Sequence, residues 1–262
     1  MKKLKMKNLF VKNFWIYIIC TAFVCNVFAA DETLNTVSVG ASKDTFDQGY
    51  DDWNASSISI GRKFSFGSMI ARVNHAARFG NNGKQFEIDA YPRLRDGTYM
   101  YVNVGWSNED LFPNQRYGAE IYQSLPQSWE ASLGFRRLNY SSHVNIYTGS
   151  VGKYSGNYYY LLRLNSVPDE LGNSGSANLQ VRRYFGDEDY VSILIGSGRS
   201  LSQLGTSSDV VALDSKRISI DSHFEVKPTW VLSLGLGLER EEIRDDVFRN
   251  RTSYSMGIDK RF

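Results

Sequence analysis

The stretch Thr229-Trp230-Val231-Leu232-Ser233-Leu234-Gly235-Leu236-Gly237-Leu238-Glu239-Arg240 sets a leucine at every second position from Leu232 to Leu238, with serine and glycine between. A period of two is the repeat of an extended strand, whose successive side chains point to opposite faces. One face here is apolar and the other small or charged. The Leu-Gly-Leu-Gly-Leu core resembles a glycine-rich phosphate loop only in composition. No helix follows it, so the glycines read as small residues on the polar face. The same alternation returns in Phe86-Ile88-Ala90 against Gln85-Glu87-Asp89, and in Trp129-Ala131-Leu133-Phe135 against Glu130-Ser132-Gly134-Arg136. It returns again in Ala177-Leu179-Val181 and in Ile218-Ile220.

Breaks at Pro113, Pro126, Pro168 and Pro228 and at glycine-rich turns divide the chain into fourteen predicted strands, twelve being the other possible count. They cover 36–43, 54–65, 68–79, 84–95, 98–107, 115–124, 129–140, 144–153, 157–166, 175–186, 190–199, 215–226, 229–240 and 250–262. Alternate connections are tight turns, as at Phe66-Gly67, Asp96-Gly97 and Lys227-Pro228. Those between are expected to be mostly longer and polar: 44–53, 80–83, 108–114, 141–143, 167–174, 200–214 and 241–249. Short turns on one rim and long loops on the other are expected of an outer-membrane barrel, with the turns periplasmic. The predicted fold is therefore an all-β, antiparallel, up-and-down transmembrane barrel. A soluble sandwich or jelly roll also alternates, but three features weigh against it. The strands are about twice the usual soluble length and match a tilted crossing. Aromatic residues cluster near strand ends, at Tyr99, Tyr101, Trp106, Trp129, Tyr158, Tyr160 and Trp230, where interfacial girdles are expected. The chain ends on Phe262, closing the row Tyr254-Met256-Ile258-Lys260-Phe262, which looks like an outer-membrane assembly signal with Lys260 snorkelling to the interface.

Composition agrees once the chain is divided. The 262 residues hold 30 Lys+Arg, 28 Asp+Glu and 2 Cys. Residues 1–30 carry five lysines and no acid, so the remainder has a net charge of −3, which argues against a nucleic-acid binder. Lysines, an apolar run from Phe14 to Phe28 and the small residues Ala29 and Ala30 have the layout of a signal peptide cleaved beside Ala30. An uncleaved anchor helix is the competing reading, disfavoured by a short run broken at Asn26. Both Cys20 and Cys25 fall in this leader, in no lipoprotein context. The exported chain, 31–262, then has no thiol for a disulfide, a zinc site or a nucleophile.

Several stretches resemble the YaiO family of outer-membrane β-barrels: Ala71-Arg72-Val73-Asn74 with Arg78-Phe79-Gly80, Gln85 to Pro92, Glu130 to Arg136, Tyr147 to Tyr154, and Arg182-Arg183-Tyr184-Phe185. The resemblance covers nearly all of the mature chain and implies an integral outer-membrane location. Some relatives carry an N-terminal helical-repeat domain; none is expected between residue 31 and the first strand. Barrels of similar design export polysaccharides, an analogy of fold alone.

Alternation also predicts the lumen. If Phe86, Ile88 and Ala90 face lipid, Glu87 and Asp89 face inward, as do Arg72, Asn74 and Arg78 on the neighbouring strand. Later strands add Arg116, Glu120 and Tyr122, then Glu130 and Arg136, then Arg163, Gln180 and Arg182. Facing rows of arginine and carboxylate either brace a closed barrel or line a polar conduit suited to a glycan. A third reading is a lipid-modifying enzyme using His75 or His143; His223 is the remaining histidine, and no serine or acid spacing marks any of them. The acidic runs Asp44 to Asp52 and Glu241-Glu242 with Asp245-Asp246 are types that bind Ca²⁺ or lipopolysaccharide-bridging cations, but more often form a solvated face. No motif calls for a cofactor or a resident metal. The expected partners are outer-membrane lipid and lipopolysaccharide, the barrel-assembly machinery through the last strand, and a glycan.

Overall fold

The computed structural model describes residues 35–169, 172–186, 188–203 and 210–262. The expected signal peptide, 1–30 with Cys20 and Cys25, lies outside the described residues, as do residues 31–34, 170–171, 187 and 204–209. Seven strands make up the first half: β1 (Asn35–Phe46), β2 (Trp53–Phe64), β3 (Gly67–Arg78), β4 (Asn81–Arg95), β5 (Thr98–Trp106), β6 (Gln115–Leu125) and β7 (Trp129–Asn139). Seven more follow: β8 (His143–Ser155), β9 (Tyr158–Asp169), β10 (Gly172–Tyr184), β11 (Tyr190–Gln203), β12 (Val210–Lys227), β13 (Trp230–Arg244) and β14 (Val247–Arg261). Each pairs antiparallel with its sequence neighbours, and β14 pairs with β1 to close the barrel. At that seam Asn35 and Phe262 exchange both backbone hydrogen bonds, at 2.8 and 2.9 Å. Closure leaves no open sheet edge, the condition for placing strands in hydrocarbon.

The two faces invert the pattern of a soluble protein. Ile58, Ile60, Leu133, Ile195 and Leu238 are more than half exposed, whereas Glu87, Asp89 and Glu120 are buried. An apolar belt of this extent needs lipid rather than water around it. On β13 the outward row is apolar from Trp230 to Leu238, about the nine to eleven residues of a tilted crossing. Below it, on the side of the short turns, aromatic rings carry basic groups: Lys153 over Trp129 at 4.8 Å, Lys260 over Trp230 at 5.0 Å and Arg62 over Phe64 at 5.4 Å. Rings at headgroup depth with cations reaching towards lipid phosphate mark a membrane interface.

Two expectations need correction. Tyr99 and Tyr101 do not join the outer girdle, because β5 turns Val102, Val104 and Trp106 outward and both tyrosines inward. Their hydroxyls donate to Glu130 and Asp89. The long-loop rim is also shorter than polarity suggests. β1 runs on to Phe46, β4 begins at Asn81, and β13 and β14 meet at the two-residue turn Asp245-Asp246. Backbone pairing continues above the membrane, where polar side chains occupy both faces and no longer distinguish strand from loop.

Candidate functional site

Fourteen strands enclose more space than the side chains of a small barrel fill, so the contents of the lumen decide what it can do. From β3 to β9 the inward positions carry long charged groups. Arg72 stands directly across the ladder from Glu87. Glu87 accepts from Asn74 Nδ2 at 2.8 Å and Arg72 Nη1 at 3.4 Å, and pairs with Arg116 Nη1 at 2.6 Å. Asp89 accepts from Asn103 Nδ2 at 2.7 Å and the Tyr101 hydroxyl at 2.9 Å, with Arg72 Nη2 at 3.3 Å. Glu120 takes both arms of the Arg163 guanidinium at 3.0 Å and the Ser132 hydroxyl at 2.5 Å. Arg163 also donates to the Tyr122 hydroxyl at 3.2 Å. Carboxylates this deeply buried are tolerable only because these donors replace water.

The long side chains need room opposite. Gly134 faces Glu120 across the ladder, and a Cβ there would lie 2.8 Å from that of Glu120. Gly134→Val should therefore push Glu120 off Ser132 and Arg163 and cost about 1–3 kcal/mol, the usual penalty of overpacking. Urea unfolding of the reconstituted barrel measures it. Gly149→Val, on the lipid face where an added Cβ meets Leu133 at an ordinary 3.6 Å, should leave the midpoint nearly unchanged.

The opposite wall is built from small residues. Inward positions read Ser233-Gly235-Gly237 on β13, Ser253-Ser255-Gly257 on β14, Ser38-Gly40-Ser42 on β1 and Ser57-Ser59-Gly61 on β2. A cavity of about 650 Å³ runs along this wall, from Arg182 and Tyr190 beside the turns to Arg78 and Phe112 beside the loops. Phe112 belongs to the connection 107–114, which folds inward. The Ser107 hydroxyl donates to the Lys84 carbonyl at 2.5 Å, and Leu111 is buried. The loop settles on Gly83, where a Cβ would approach those of Glu109 and Leu111 to 3.1 Å. A second cavity, of about 390 Å³, has Arg78, Arg116, Arg136 and Arg251 on its walls. Tyr140, at its loop-side edge, has its phenol pushed above the usual range by burial, an effect that nearby Arg78 and Arg116 oppose.

The structure places Arg72, Asn74, Arg78, Glu87, Asp89, Arg116, Glu120, Tyr122, Glu130, Arg136, Arg163, Gln180 and Arg182 on the inward face, but not as uniform rows of opposite charge. Glu130 accepts from the tyrosines Tyr99 and Tyr159, at 3.0 and 3.2 Å, rather than from an arginine. Arg182 lies 4.1 Å over the Tyr190 ring and Arg78 4.9 Å over Trp53. Among the described residues no acceptor hydrogen-bonds Arg136.

Sequence reasoning missed the most buried ion pair. Glu241 and Arg249 are each 1% exposed and meet at 2.6 Å, with Arg251 joining Glu239 and Glu241. Arg249 lies over Phe46, Tyr50 and Trp53 at 4.6, 5.2 and 5.5 Å. The signal was Glu239-x-Glu241 facing Arg249-x-Arg251 across a turn. The acidic run at 241 is thus partly buried rather than a solvated face. In the other acidic run Asp47 accepts from Asn250 and Asp52 pairs with Lys43. Among the described residues no group of His, Cys, Asp and Glu is arranged to hold a metal ion.

The histidines stand apart from one another. His75 faces lipid between Ser56 and Lys84 of the flanking strands, and His143 opens β8 opposite Asn139. His223 faces inward, stacked on Tyr190 at 5.3 Å, its Nδ1 3.0 Å from the Ser233 hydroxyl. Among the described residues no carboxylate hydrogen-bonds any of the three rings.

Comparison with known proteins accords with this architecture. Residues 34–203 match the family described as YaiO membrane beta barrel domain, so the match reaches the end of β11 and the last three strands complete the barrel beyond it. The fold is similar to the CymD monoaromatic hydrocarbon channel, at 8% identity over 87% of this chain and 88% of that one, with a TM-score of 0.57. It is similar to a bacterial polysaccharide outer membrane secretin, at 9% identity over 87% and 98%, with a TM-score of 0.55. It is also similar to outer membrane protein Omp33 of Acinetobacter baumannii, at 9% identity over 87% and 99%, with a TM-score of 0.54. At such identities the likeness speaks for the fold alone. No curated protein matches the sequence. With its closed antiparallel barrel, lipid-facing apolar belt and polar interior, the chain belongs to the YaiO family of membrane β-barrels.

Proposed function

We propose that the barrel is a polar conduit of the outer membrane, with solute passing along the serine–glycine wall while the ion network of β3–β9 acts as scaffold. The observation that carries this reading is the division of the lumen. Large charged groups fill one half, and the small residues of the other leave a cavity reaching from the turn-side mouth to Phe112. The similar solved barrels include, by their names, a hydrocarbon channel and a polysaccharide secretin, which agrees with a passage and with a surface glycan as its cargo. Proteoliposomes carrying the folded barrel should swell in isosmotic arabinose. Swelling no faster than that of protein-free liposomes would overturn the conduit. It would favour a closed structural barrel capped by the inward loop 107–114, the reading that buried Leu111 supports.

Membrane lipid and lipopolysaccharide are proposed to contact the outward aromatic and basic rims, and the assembly machinery the last strand. Phe262 is exposed to the lipid side, while its backbone closes the seam with Asn35. Deleting Phe262 should lower the amount of folded barrel in outer-membrane fractions, measured by immunoblot, while Phe262→Trp should restore it.

A further inference from the structure

At the turn-side mouth the inward wall from β4 to β11 is rich in tyrosine. Tyr91 packs on Tyr101 at 5.2 Å, and Tyr99 stacks on Tyr122 at 4.7 Å with only 2° between the rings. Tyr154 follows against Tyr159 at 4.4 Å. Beyond Arg182 comes Tyr190, which stacks on His223. These rings, on β4, β5, β6, β8, β9 and β11, sit within a few residues of the turns and form an arc around the mouth facing the small-residue wall, with Glu130 of β7 and Arg182 of β10 between them.

A plug has no use for this chemistry, since leucine fills space without a hydroxyl to satisfy. The phenols of Tyr99 and Tyr159 are anchored on Glu130 and that of Tyr101 on Asp89. Anchoring fixes the rings, and Tyr91 and Tyr154 keep about two-fifths of their surface open, at 38% and 43%. A fixed aromatic face bordered by hydroxyls, a carboxylate and a guanidinium offers apolar contact and hydrogen bonding together. A sugar ring matches that surface, with C–H groups on its flat face and hydroxyls around its edge. An acyl chain would offer no partner to the hydroxyls of Tyr91, Tyr154 and Tyr190. A nucleic acid would bring phosphates against Glu130.

We propose that the tyrosine arc is a saccharide-binding site at the turn-side mouth, which takes a glycan chain ring by ring as it enters. The proposal deepens the conduit reading and rests on it for the idea of entry. Its test is isothermal titration of the detergent-folded barrel with maltohexaose, cellohexaose and chitohexaose. Tyr154 and Tyr190 are the positions to vary, because their hydroxyls hold none of the ion network. At least one hexasaccharide should bind the wild type. Tyr154→Ala and Tyr190→Ala should each weaken that binding about three- to ten-fold, the scale of one lost aromatic contact. Tyr154→Phe and Tyr190→Phe, which keep the ring, should stay within about two-fold. Circular dichroism confirms that each variant is folded. Failure of all three hexasaccharides to bind, or binding unchanged in both alanine variants, would overturn the site. Ion currents from the same preparation keep the two claims apart. Current without saccharide binding removes the site and leaves the conduit, whereas binding without current removes the conduit and leaves the site.

Discussion

Glu241→Leu should destabilise the barrel by about 3–5 kcal/mol, the range found when one partner of a buried ion pair is removed. The expectation follows from the surroundings of Arg249. Its guanidinium is enclosed by Phe46, Tyr50 and Trp53 and meets the Glu241 carboxylate at 2.9 and 2.6 Å. Without Glu241 that charge stays buried against aromatic faces, which supply only part of what a carboxylate supplies. The contact ties together β13, β14, β1 and β2, the strands on either side of the closing seam. Urea unfolding in liposomes, followed through the buried Trp53, reads the loss. The double exchange of Glu241 and Arg249 to leucine should recover much of it, because the Arg249 charge leaves with its carboxylate and Arg251 keeps Glu239. Arg199–Asp214, where both side chains are more than half exposed, provides the contrast. Breaking that pair should change stability by no more than about 1 kcal/mol.

The second large effect concerns permeation. Ser57→Trp and Ser255→Trp would each set an indole into the open half of the lumen, where both serines line the 650 Å³ cavity. Each should cut single-channel conductance several-fold, and the two together should nearly abolish it. Phe112→Gly should act in the opposite direction by clearing the inward loop from the passage. Glu120→Gln should leave conductance close to wild type, since Glu120 belongs to the packed half, where Arg163 and Ser132 hold it. Equal effects of all four exchanges would mean that the two halves of the lumen do not differ in function.

How much of this was legible in the sequence depends on depth in the membrane. Within the hydrocarbon, alternation is enforced by two unlike solvents, so Leu232 to Leu238 announce a strand and Phe86-Ile88-Ala90 assign Glu87 and Asp89 to the interior. Above it polar side chains occupy both faces, so 241–249 reads as a loop although Glu241 and Arg249 within it form the best-buried ion pair among the described residues. Tyrosine is ambiguous for a related reason. It suits both a lipid interface and a polar lumen, and only its position in the alternating row separates inward Tyr99 and Tyr101 from outward Tyr158 and Tyr160. The inward faces of Arg72, Glu120 and Arg163 could be read from parity, but their partners could not. Arg163 and Glu120 are 43 residues apart, and only the ladder register brings them together. The inward fold of 107–114 left no periodic trace, because a loop that packs on Gly83 needs one glycine and one leucine and no repeat.

The small-residue half of the lumen is proposed to be an open path through the membrane. Single-channel recording of the purified, folded wild-type barrel in a planar bilayer tests it most directly. Stable unitary currents that fall when Ser57 and Ser255 become tryptophan are expected; a folded barrel that passes no current at any applied voltage would contradict an open path.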